Sequence, residues 1–296
     1  MKIAILVLAN DDICVCGRCI RESRTSSYTD MATAVRRTWA SQEVEGIKVY
    51  YIYGHRMGTE FPKDAKYRDV VEDACLYEGT PGPEASTNVR RKRFPFAIDD
   101  CIYSDTPEGR ENIYYKSIDG FEWLLENEEF DYVLRTTCGT YIDLPLLKEL
   151  AEQLGIRDDV YAGHMGMYNN AHNHPQPPQI KFASGSAFLV SRKLIEKLVK
   201  NERENKIDLV RSPYEVKCIG DDPTVAKYFI YDLGVNLITW NKKDVWEEQQ
   251  VGPHLKNELQ CYFRHTINPK MMYAVHKVKG LEPTEEISSL LKGRGW

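Results

Sequence analysis

Short apolar runs alternate with amphipathic segments along most of this chain of 296 residues. The apolar runs have the length and the β-branched and aromatic content of buried strands, and the segments between them repeat hydrophobic residues at helical spacing. Such alternation predicts a parallel-rich sheet covered by helices on both faces, with ligands at the carboxyl ends of the strands. The predicted strands are 2–9, 47–53, 131–136, 160–162 and 180–183, and the predicted helices are 29–40, 110–127, 145–154, 191–200 (with Ser191 as N-cap) and 221–231.

Composition indicates a globular protein. With 42% hydrophobic and 28% charged residues, the chain can bury a large core in one large domain or two small ones. We predict one domain over 1–280 and a polar tail over 281–296. No run approaches the roughly 18 apolar residues of a membrane span. The first strand runs directly into Asn10, Asp11 and Asp12, unlike a signal peptide. We therefore expect a cytoplasmic protein without a membrane span, of bacterial or viral origin, in the host-cell cytoplasm if viral.

Charge and cysteine content give weaker signals. The net charge of -5 provides no general attraction for nucleic acid or anionic membranes. One basic run, 90–93 (RRKR), precedes two aromatic residues and could contact phosphates, although such a run is more often a solvated loop. Cys14, Cys16 and Cys19 could hold zinc if a fourth ligand came from elsewhere, and otherwise they are reduced thiols.

The segment after residue 130 carries the strongest functional signal. An apolar run over 130–134 leads into Arg135, Thr136, Thr137, Cys138, Gly139 and Thr140. Further short motifs occur in order along the chain: 35–39 (VRRTW), 46–49 (GIKV), Asp105 with Asn112, Lys116 and Trp123, 161–163 (YAG), 184–191 (SGSAFLVS) and 220–226 (GDDPTVA).

This ordered set resembles the beta-3-glycosyltransferases, the galactosyltransferase and Fringe superfamily, over roughly 1–279. The resemblance implies an α/β fold of the GT-A (Rossmann-like) type, a single domain with a mixed central sheet covered by helices on both faces. It also implies an inverting transfer of a sugar from a nucleotide-sugar donor, expected to be UDP-linked, to a hydroxyl group.

The expected chemistry requires a base, because the acceptor hydroxyl must lose a proton while negative charge grows on the leaving diphosphate. By resemblance the base is Asp222, and Asp221 with Ser184, Gly185 and Ser186 lines the acceptor or sugar pocket. The residues alone allow simpler interpretations. The two aspartates could serve merely as a helix cap. The small residues could merely form a tight turn before a helix.

Donor binding is assigned by resemblance to Arg36, Thr38, Asp105 and Lys116. Arg36 would pair with diphosphate oxygens, or it is a surface charge on a helix, next to Trp39 in the core. Lys116 lies on a buried helix face and needs an acid, so a structural ion pair with Asp105 is the alternative to a donor contact.

The family's acidic metal-binding triplet is replaced. It falls on Thr137, Cys138 and Gly139, none of which offers a hard anionic oxygen to manganese or magnesium. We therefore expect metal-independent or weakly metal-stimulated transfer, with Thr137 and Gly139 still beside the donor. Asp143 could replace a ligand, but it more naturally caps the helix at 145.

Another cation must then offset the diphosphate. The candidates are Arg135, Arg36, Lys181, Arg264 and His265. His265 resembles a late family position at which a histidine helps to bind metal and diphosphate, although a surface or core histidine is an equally simple interpretation.

Three functional hypotheses follow. The main one is a hexosyl- or pentosyltransferase acting on a glycan, a glycoconjugate or a modified nucleobase. The first alternative is a viral or phage DNA-base (hydroxymethyl-pyrimidine) glycosyltransferase, for which the basic run at 90–93 would contact phosphates. The second is a non-catalytic nucleotide- or glycan-binding relative.

Overall fold

The structure is a computed structural model, and it describes residues 1–10, 28–55, 95–108, 112–169, 179–204, 221–245, 262–265 and 269–279. The predicted tail over 281–296, the Cys14, Cys16 and Cys19 group and the basic run at 90–93 lie outside these residues. In the described part of the chain, no helix has the length and apolar character needed to cross a bilayer.

A mixed sheet forms the centre of the molecule, and eight of the described strands belong to it, in the order β3-β4-β2-β1-β5-β8-β7-β9. The strands are β1 (Ile3–Leu8), β2 (Ile47–His55), β3 (Phe96–Ile98), β4 (Cys101–Pro107), β5 (Tyr132–Thr137), β6 (Thr140–Ile142), β7 (Tyr161–Asn169), β8 (Gln179–Ser191), β9 (Leu237–Thr239), β10 (Lys243–Val245) and β11 (Tyr262–His265). Strands β4, β2, β1 and β5 run parallel, whereas β8 is antiparallel to both of its neighbours. The predicted mixed α/β architecture is confirmed.

Helices cover both faces of this sheet. They are α1 (Tyr28–Arg37), α2 (Ile113–Asn127), α3 (Leu144–Leu154), α4 (Arg192–Arg203), α5 (Asp221–Ala226) and α6 (Pro269–Val278). Apolar residues of α1, α3 and α6 join one core cluster, and those of α2, α4 and α5 join the other. Strand β1 contributes Ile3, Ile5 and Val7 to the first and its even-numbered residues to the second. Because both faces are covered, β1 is apolar throughout.

A smaller sheet follows β5. The chain turns at Cys138 and Gly139 and continues as β6, which pairs antiparallel with β11, and β11 pairs in turn with β10. Trp39, predicted to be a core residue, is fully buried, and its indole N–H donates to the carbonyl oxygen of Thr140 at 3.1 Å.

Several predicted element bounds were wrong. Helix α1 ends at Arg37 and is followed by a 3-10 turn over Trp39–Ser41. The strands predicted at 160–162 and 180–183 are much longer, and β8 contains all three small residues 184–186. These residues therefore do not form a tight turn before a helix. The helix predicted at 221–231 is α-helical only to Ala226, and Lys227–Asp232 continues with π-helical hydrogen bonding.

Two predicted caps had different outcomes. Asp143 does cap α3, since its carboxylate accepts from the Leu146 N–H at 3.2 Å. Ser191 occupies the N-cap position of α4, but its hydroxyl donates to the Asp158 carbonyl at 2.7 Å instead of capping the helix.

Candidate functional site

The carboxyl ends of the parallel strands meet at one edge of the sheet, where ligands bind in open α/β folds. Asp222, in the first turn of α5, lies at this edge beside β8. Its carboxylate oxygen Oδ2 accepts a hydrogen bond of 2.8 Å from the Gly185 N–H, and the side chain is half-buried. The Asp222 carboxylate is therefore accessible to a ligand and is also held in a fixed orientation.

The electrostatic surroundings of Asp222 suit proton transfer. Burial, and next the neighbouring Asp221 carboxylate, raise the pKa of Asp222 to about 6, against the opposing effects of Arg135 and the Gly185 N–H. A carboxylate of this kind is mostly ionised at neutral pH, yet it binds a proton more readily than an ordinary aspartate does. General-base catalysis favours such a match between pKa and working pH.

Arg135 lies beneath Asp222 and is buried. One guanidinium nitrogen, Nη2, donates to Asp221, and the other, Nη1, donates to the carbonyl oxygen of Gly185. The second oxygen of Asp221 accepts from the Ser117 hydroxyl of α2 at 2.8 Å. Arg135, predicted to contact the donor, is therefore committed to groups inside the protein.

Lys116 reaches the same edge from α2. Its ammonium donates to the Ala9 carbonyl at 2.9 Å and pairs with Glu108 at 2.8 Å. The other Glu108 oxygen accepts from the Gly54 N–H at 2.5 Å, so the contacts join the ends of β1, β2 and β4. Lys116 therefore does pair with a buried acid, but this acid is Glu108, whereas the sequence predicted Asp105. The Asp105 side chain lies outside the described part of the chain, and its pairing stays a prediction.

Adjacent residues of α2 therefore link the two halves of the edge. Lys116 holds the strand ends on the β1, β2 and β4 side, and Ser117 holds Asp221 on the β5 and β8 side. Glu108 and Ser117 were missed in the sequence. Nothing about Ser117 marked it, whereas the requirement of Lys116 for a buried acid could have drawn attention to Glu108 as well as to Asp105.

The side chains of residues 137–139, on which the family resemblance would place an acidic metal-binding triplet, offer no carboxylate to a hard divalent cation. Thr137 offers a half-buried hydroxyl 3.5 Å from that of Thr140, and Gly139 offers no side chain. Burial raises the pKa of the Cys138 thiol to about 12, so it stays protonated. Manganese and magnesium prefer carboxylate and carbonyl oxygens. Among the described residues, no group of three or more His, Cys, Asp or Glu side chains could hold a metal ion.

Hydroxyl groups surround this position instead. The Thr136 and Thr140 hydroxyls donate to the Ser186 carbonyl at 2.7 and 2.9 Å, and the hydroxyls of Ser184 and Ser186 are 2.9 Å apart. These contacts attach β8 to the end of β5 and bring the predicted pocket residues Ser184, Gly185 and Ser186 together with Asp222.

Arg36 and Thr38 are placed elsewhere. The Arg36 guanidinium pairs with Asp100 at 2.9 Å and lies 3.7 Å over the Tyr51 ring, in the core cluster on the opposite face from α5. Thr38 is fully buried, and its hydroxyl donates to the Ala34 carbonyl at 2.7 Å. The structure therefore does not bring these two residues together with Asp222.

The remaining candidates are only partly described. Lys181 is exposed on β8. Arg264 and His265 belong to β11, but their side chains lie outside the described part of the chain. Their predicted roles at the diphosphate stay predictions.

Sequence comparison places the chain near one curated enzyme. No protein-family model matches it. It is 22% identical over 178 residues to UDP-GalNAc:beta-1,3-N-acetylgalactosaminyltransferase 2 of Mus musculus, and the match covers 55% of this chain and 33% of the mouse protein. The chain thus spans about a third of the length of the curated relative it matches.

Solved structures give only distant likenesses. The glycosyltransferase GlyE of Streptococcus pneumoniae TIGR4 has a TM-score of 0.44 at 10% identity, covering 99% of this chain and 64% of that one. The galactosyltransferase LgtC, solved with donor and acceptor sugar analogs, has a TM-score of 0.41 at 9% identity, covering 98% and 99%. The inositol-1-phosphate CTP transferase of T. maritima has a TM-score of 0.40 at 11% identity, covering 94% and 96%. Likenesses of this size do not establish a shared activity, and the weak sequence similarity to a glycosyltransferase is the finding that bears on function.

Proposed function

We propose that this protein is an inverting glycosyltransferase with a GT-A type of fold, which moves a sugar from a UDP-linked donor to a hydroxyl acceptor with Asp222 as general base. The observation that carries the proposal is the half-buried Asp222 carboxylate, fixed by the Gly185 N–H at the carboxyl edge. The similarity to the mouse enzyme, whose name specifies UDP-GalNAc, supports a UDP-linked donor. Neither the sugar nor the acceptor is carried over from it.

The proposed reaction is a single displacement. Asp222 takes the proton of the acceptor hydroxyl, and the hydroxyl oxygen forms a bond to the anomeric carbon. The bond from that carbon to the diphosphate oxygen breaks, and the nucleoside diphosphate leaves with the electron pair. One base is sufficient for this chemistry, and no covalent intermediate is required.

Neutral donors at the edge would receive the diphosphate. We propose that the Thr137 hydroxyl and the main chain at Gly139 bind its oxygens, because hydrogen bonds to developing negative charge lower the barrier of such reactions. The ion pairs of Lys116 with Glu108 and of Arg135 with Asp221 leave these two cations already neutralised. His265 and Arg264 of β11 stay candidates for added positive charge.

The test is release of nucleoside diphosphate from UDP-, GDP- and CMP-sugars by the wild type, with manganese and with a chelator. Asp222→Asn is expected to lower turnover by about 1,000-fold or more. The matched control is Asp232→Asn, because Asp232 lies at the far end of the same helical segment and pairs with Lys227 on the surface.

Chelator-resistant turnover that requires Asp222 would support the proposal. Equal activity of Asp222→Asn and wild type would reject Asp222 as the base, and strong manganese dependence would show that a cation site lies elsewhere in the chain. Binding of UDP without turnover of any donor would favour the non-catalytic alternative.

A further inference from the structure

The main-chain peptide groups at Gly185 are held from both sides. The Gly185 N–H donates to Asp222 at 2.8 Å, and the Gly185 carbonyl accepts from Arg135. Arg135 also pairs with Asp221, the residue before Asp222. Three contacts and the chain itself thus close a ring through Arg135, Gly185, Asp222 and Asp221.

A planar guanidinium is needed for this ring. Its two terminal nitrogens reach Gly185 and Asp221 at the same time, and a lysine ammonium, as a single point charge, does not offer this fork. Within the described residues the third nitrogen, Nε, has no hydrogen-bond partner. The Arg135 side chain is 3% exposed and lies 5.4 Å from the centre of the Phe188 ring. A diphosphate in solution therefore has almost no access to it.

Gly185 fits the ring because it lacks a side chain. A Cβ atom at this position would lie 3.0 Å from the Asp222 carboxylate and 3.1 Å from the Arg135 guanidinium. Both neighbours are fixed by their own contacts, so an alanine would displace one of them. The glycine thus permits the closest approach of β8 to the base.

We propose that Arg135 is a positioning residue, which holds the Asp222 carboxylate in place through Gly185 and Asp221, and that it does not bind the donor. This proposal rests on the proposed function, because it assigns Arg135 a task for the same base. It replaces the donor contact that the sequence suggested for this arginine.

The charged groups around Asp222 allow the positioning role of Arg135 to be tested through the pKa of Asp222. Among the residues that the structure describes, the titratable groups that face it are Asp221 of α5, Arg135 of β5 and Tyr161 of β7. Arg135 opposes the rise in the pKa of Asp222 that burial and Asp221 cause. Loss of the guanidinium charge should therefore raise that pKa further, whereas loss of a donor ligand would not.

The experiment uses the full chain and two variants, Arg135→Met and Arg135→Lys, with three measurements. The first is the pH dependence of kcat, whose acid limb should move up by about one pH unit in Arg135→Met. The second is the Kd for UDP, expected to stay within about twofold of the wild type. The third is the midpoint of the Asp222 carboxyl signal in a carbon-13 NMR titration, assigned by its loss in Asp222→Asn.

Two further variants show whether a change in kcat comes from the ring at Gly185 or from misfolding and the loss of an arginine in general. Arg192→Met is the matched control, because Arg192 also donates to main-chain carbonyls, at 3.0 and 3.1 Å, and lies 4.8 Å from the Phe130 ring centre, but away from Asp222. Gly185→Ala disturbs the same ring without changing Arg135. It should lower kcat about 100-fold without weakening UDP binding. Arg135→Lys keeps the charge and should lower kcat while moving the acid limb less than Arg135→Met.

The outcomes separate the two proposals. An upward shift of the Asp222 NMR midpoint in Arg135→Met, in a protein that turns over no donor, would support the positioning role and reject the transferase. Turnover that depends on Asp222, with UDP binding weakened about tenfold or more in Arg135→Met and no shift of the acid limb, would overturn the positioning role alone. If Arg135→Met does not fold, unchanged kcat in Gly185→Ala and Arg135→Lys would overturn it as well.

Discussion

The ammonium of Lys116 lies 2.8 Å from the carboxylate of Glu108, and the two side chains are only 5% and 7% exposed. Such a pair is costly to form in a low-dielectric site, and it is more costly to break, because a single buried charge is left behind. The pair also contacts the Ala9 carbonyl and the Gly54 N–H. The ion pair therefore lies at the ends of three parallel strands.

We expect Lys116→Met to lower the free energy of unfolding by about 3–5 kcal/mol, because Glu108 would remain buried without its partner. Urea unfolding at pH 7.5 measures the loss. The control is Lys193→Ala, which breaks the exposed pair with Glu196 and should leave the free energy of unfolding nearly unchanged, because solvent screens this pair. The double variant Lys116→Met/Glu108→Gln should recover part of the loss, and equal losses in the single and double variants would contradict this account.

Gly163 of β7 provides a second test of the packing next to the site. A Cβ atom there would lie 2.8 Å from the Ala183 Cβ and 3.0 Å from the Ala187 carbonyl oxygen. Neither atom can move without the main chain of β8, so Gly163→Ala should destabilise the protein by about 1–3 kcal/mol. Met165→Ala, at an exposed position of the same strand, is the control and should change stability little. A Gly163→Ala protein as stable as the wild type would show that β8 has room to shift.

His276 should make the protein sensitive to acid. It is buried in α6, with Nδ1 3.2 Å from the Tyr141 hydroxyl, and burial lowers the pKa of His276 to about 4. The unfolded chain protonates this residue below about pH 6.5 and the folded chain resists protonation until about pH 4, so stability falls as the pH drops through this window. At pH 5 the contribution is up to about 2 kcal/mol.

The measurement is the urea midpoint at pH 7.5 and at pH 5. His276→Gln cannot titrate and should lose less stability over this interval than the wild type. Asp222 acts in the opposite direction, because a folded-state pKa of about 6 lies above its unfolded value and protonation then favours the folded state. Asp222→Asn should therefore steepen the acid loss, and an identical pH dependence in all three proteins would contradict both assignments.

Substitution of Arg36 can distinguish a structural role of this residue from a contact with the donor. Its guanidinium pairs with Asp100 and lies over the Tyr51 ring. We therefore expect Arg36→Met to lower the melting temperature and to leave the Kd for UDP within about twofold of the wild type. Asp100→Asn tests the same pair from its other side and should also lower the melting temperature. A loss of UDP affinity in Arg36→Met, with no such loss in Asp100→Asn, would restore the donor role that the sequence suggested.

The sequence by itself determined the architecture. The apolar content of β1 and the helical spacing of the segments around it predict the covered sheet, because burial on both faces requires side chains that need no polar partner. Asp222, near the start of a predicted helix, and Gly185, among small residues, could each be matched to a motif of the resembled family. Element ends were less accurate, as for β8, because Ser and Gly at 184–186 favour turns over strands and so gave no sign that the strand continues through them.

Only the tertiary structure decided which charged residues meet. Asp221 and Arg135 are 86 positions apart in the chain, and a sequence pattern cannot show that the guanidinium faces the interior and not a ligand. For the same reason Glu108 and Ser117 were missed, and the pairing of Arg36 with Asp100 was not predicted. Buried ion pairs form where the fold brings opposite charges together out of water. Their positions depend on strand order and helix packing, which cannot be predicted from local sequence.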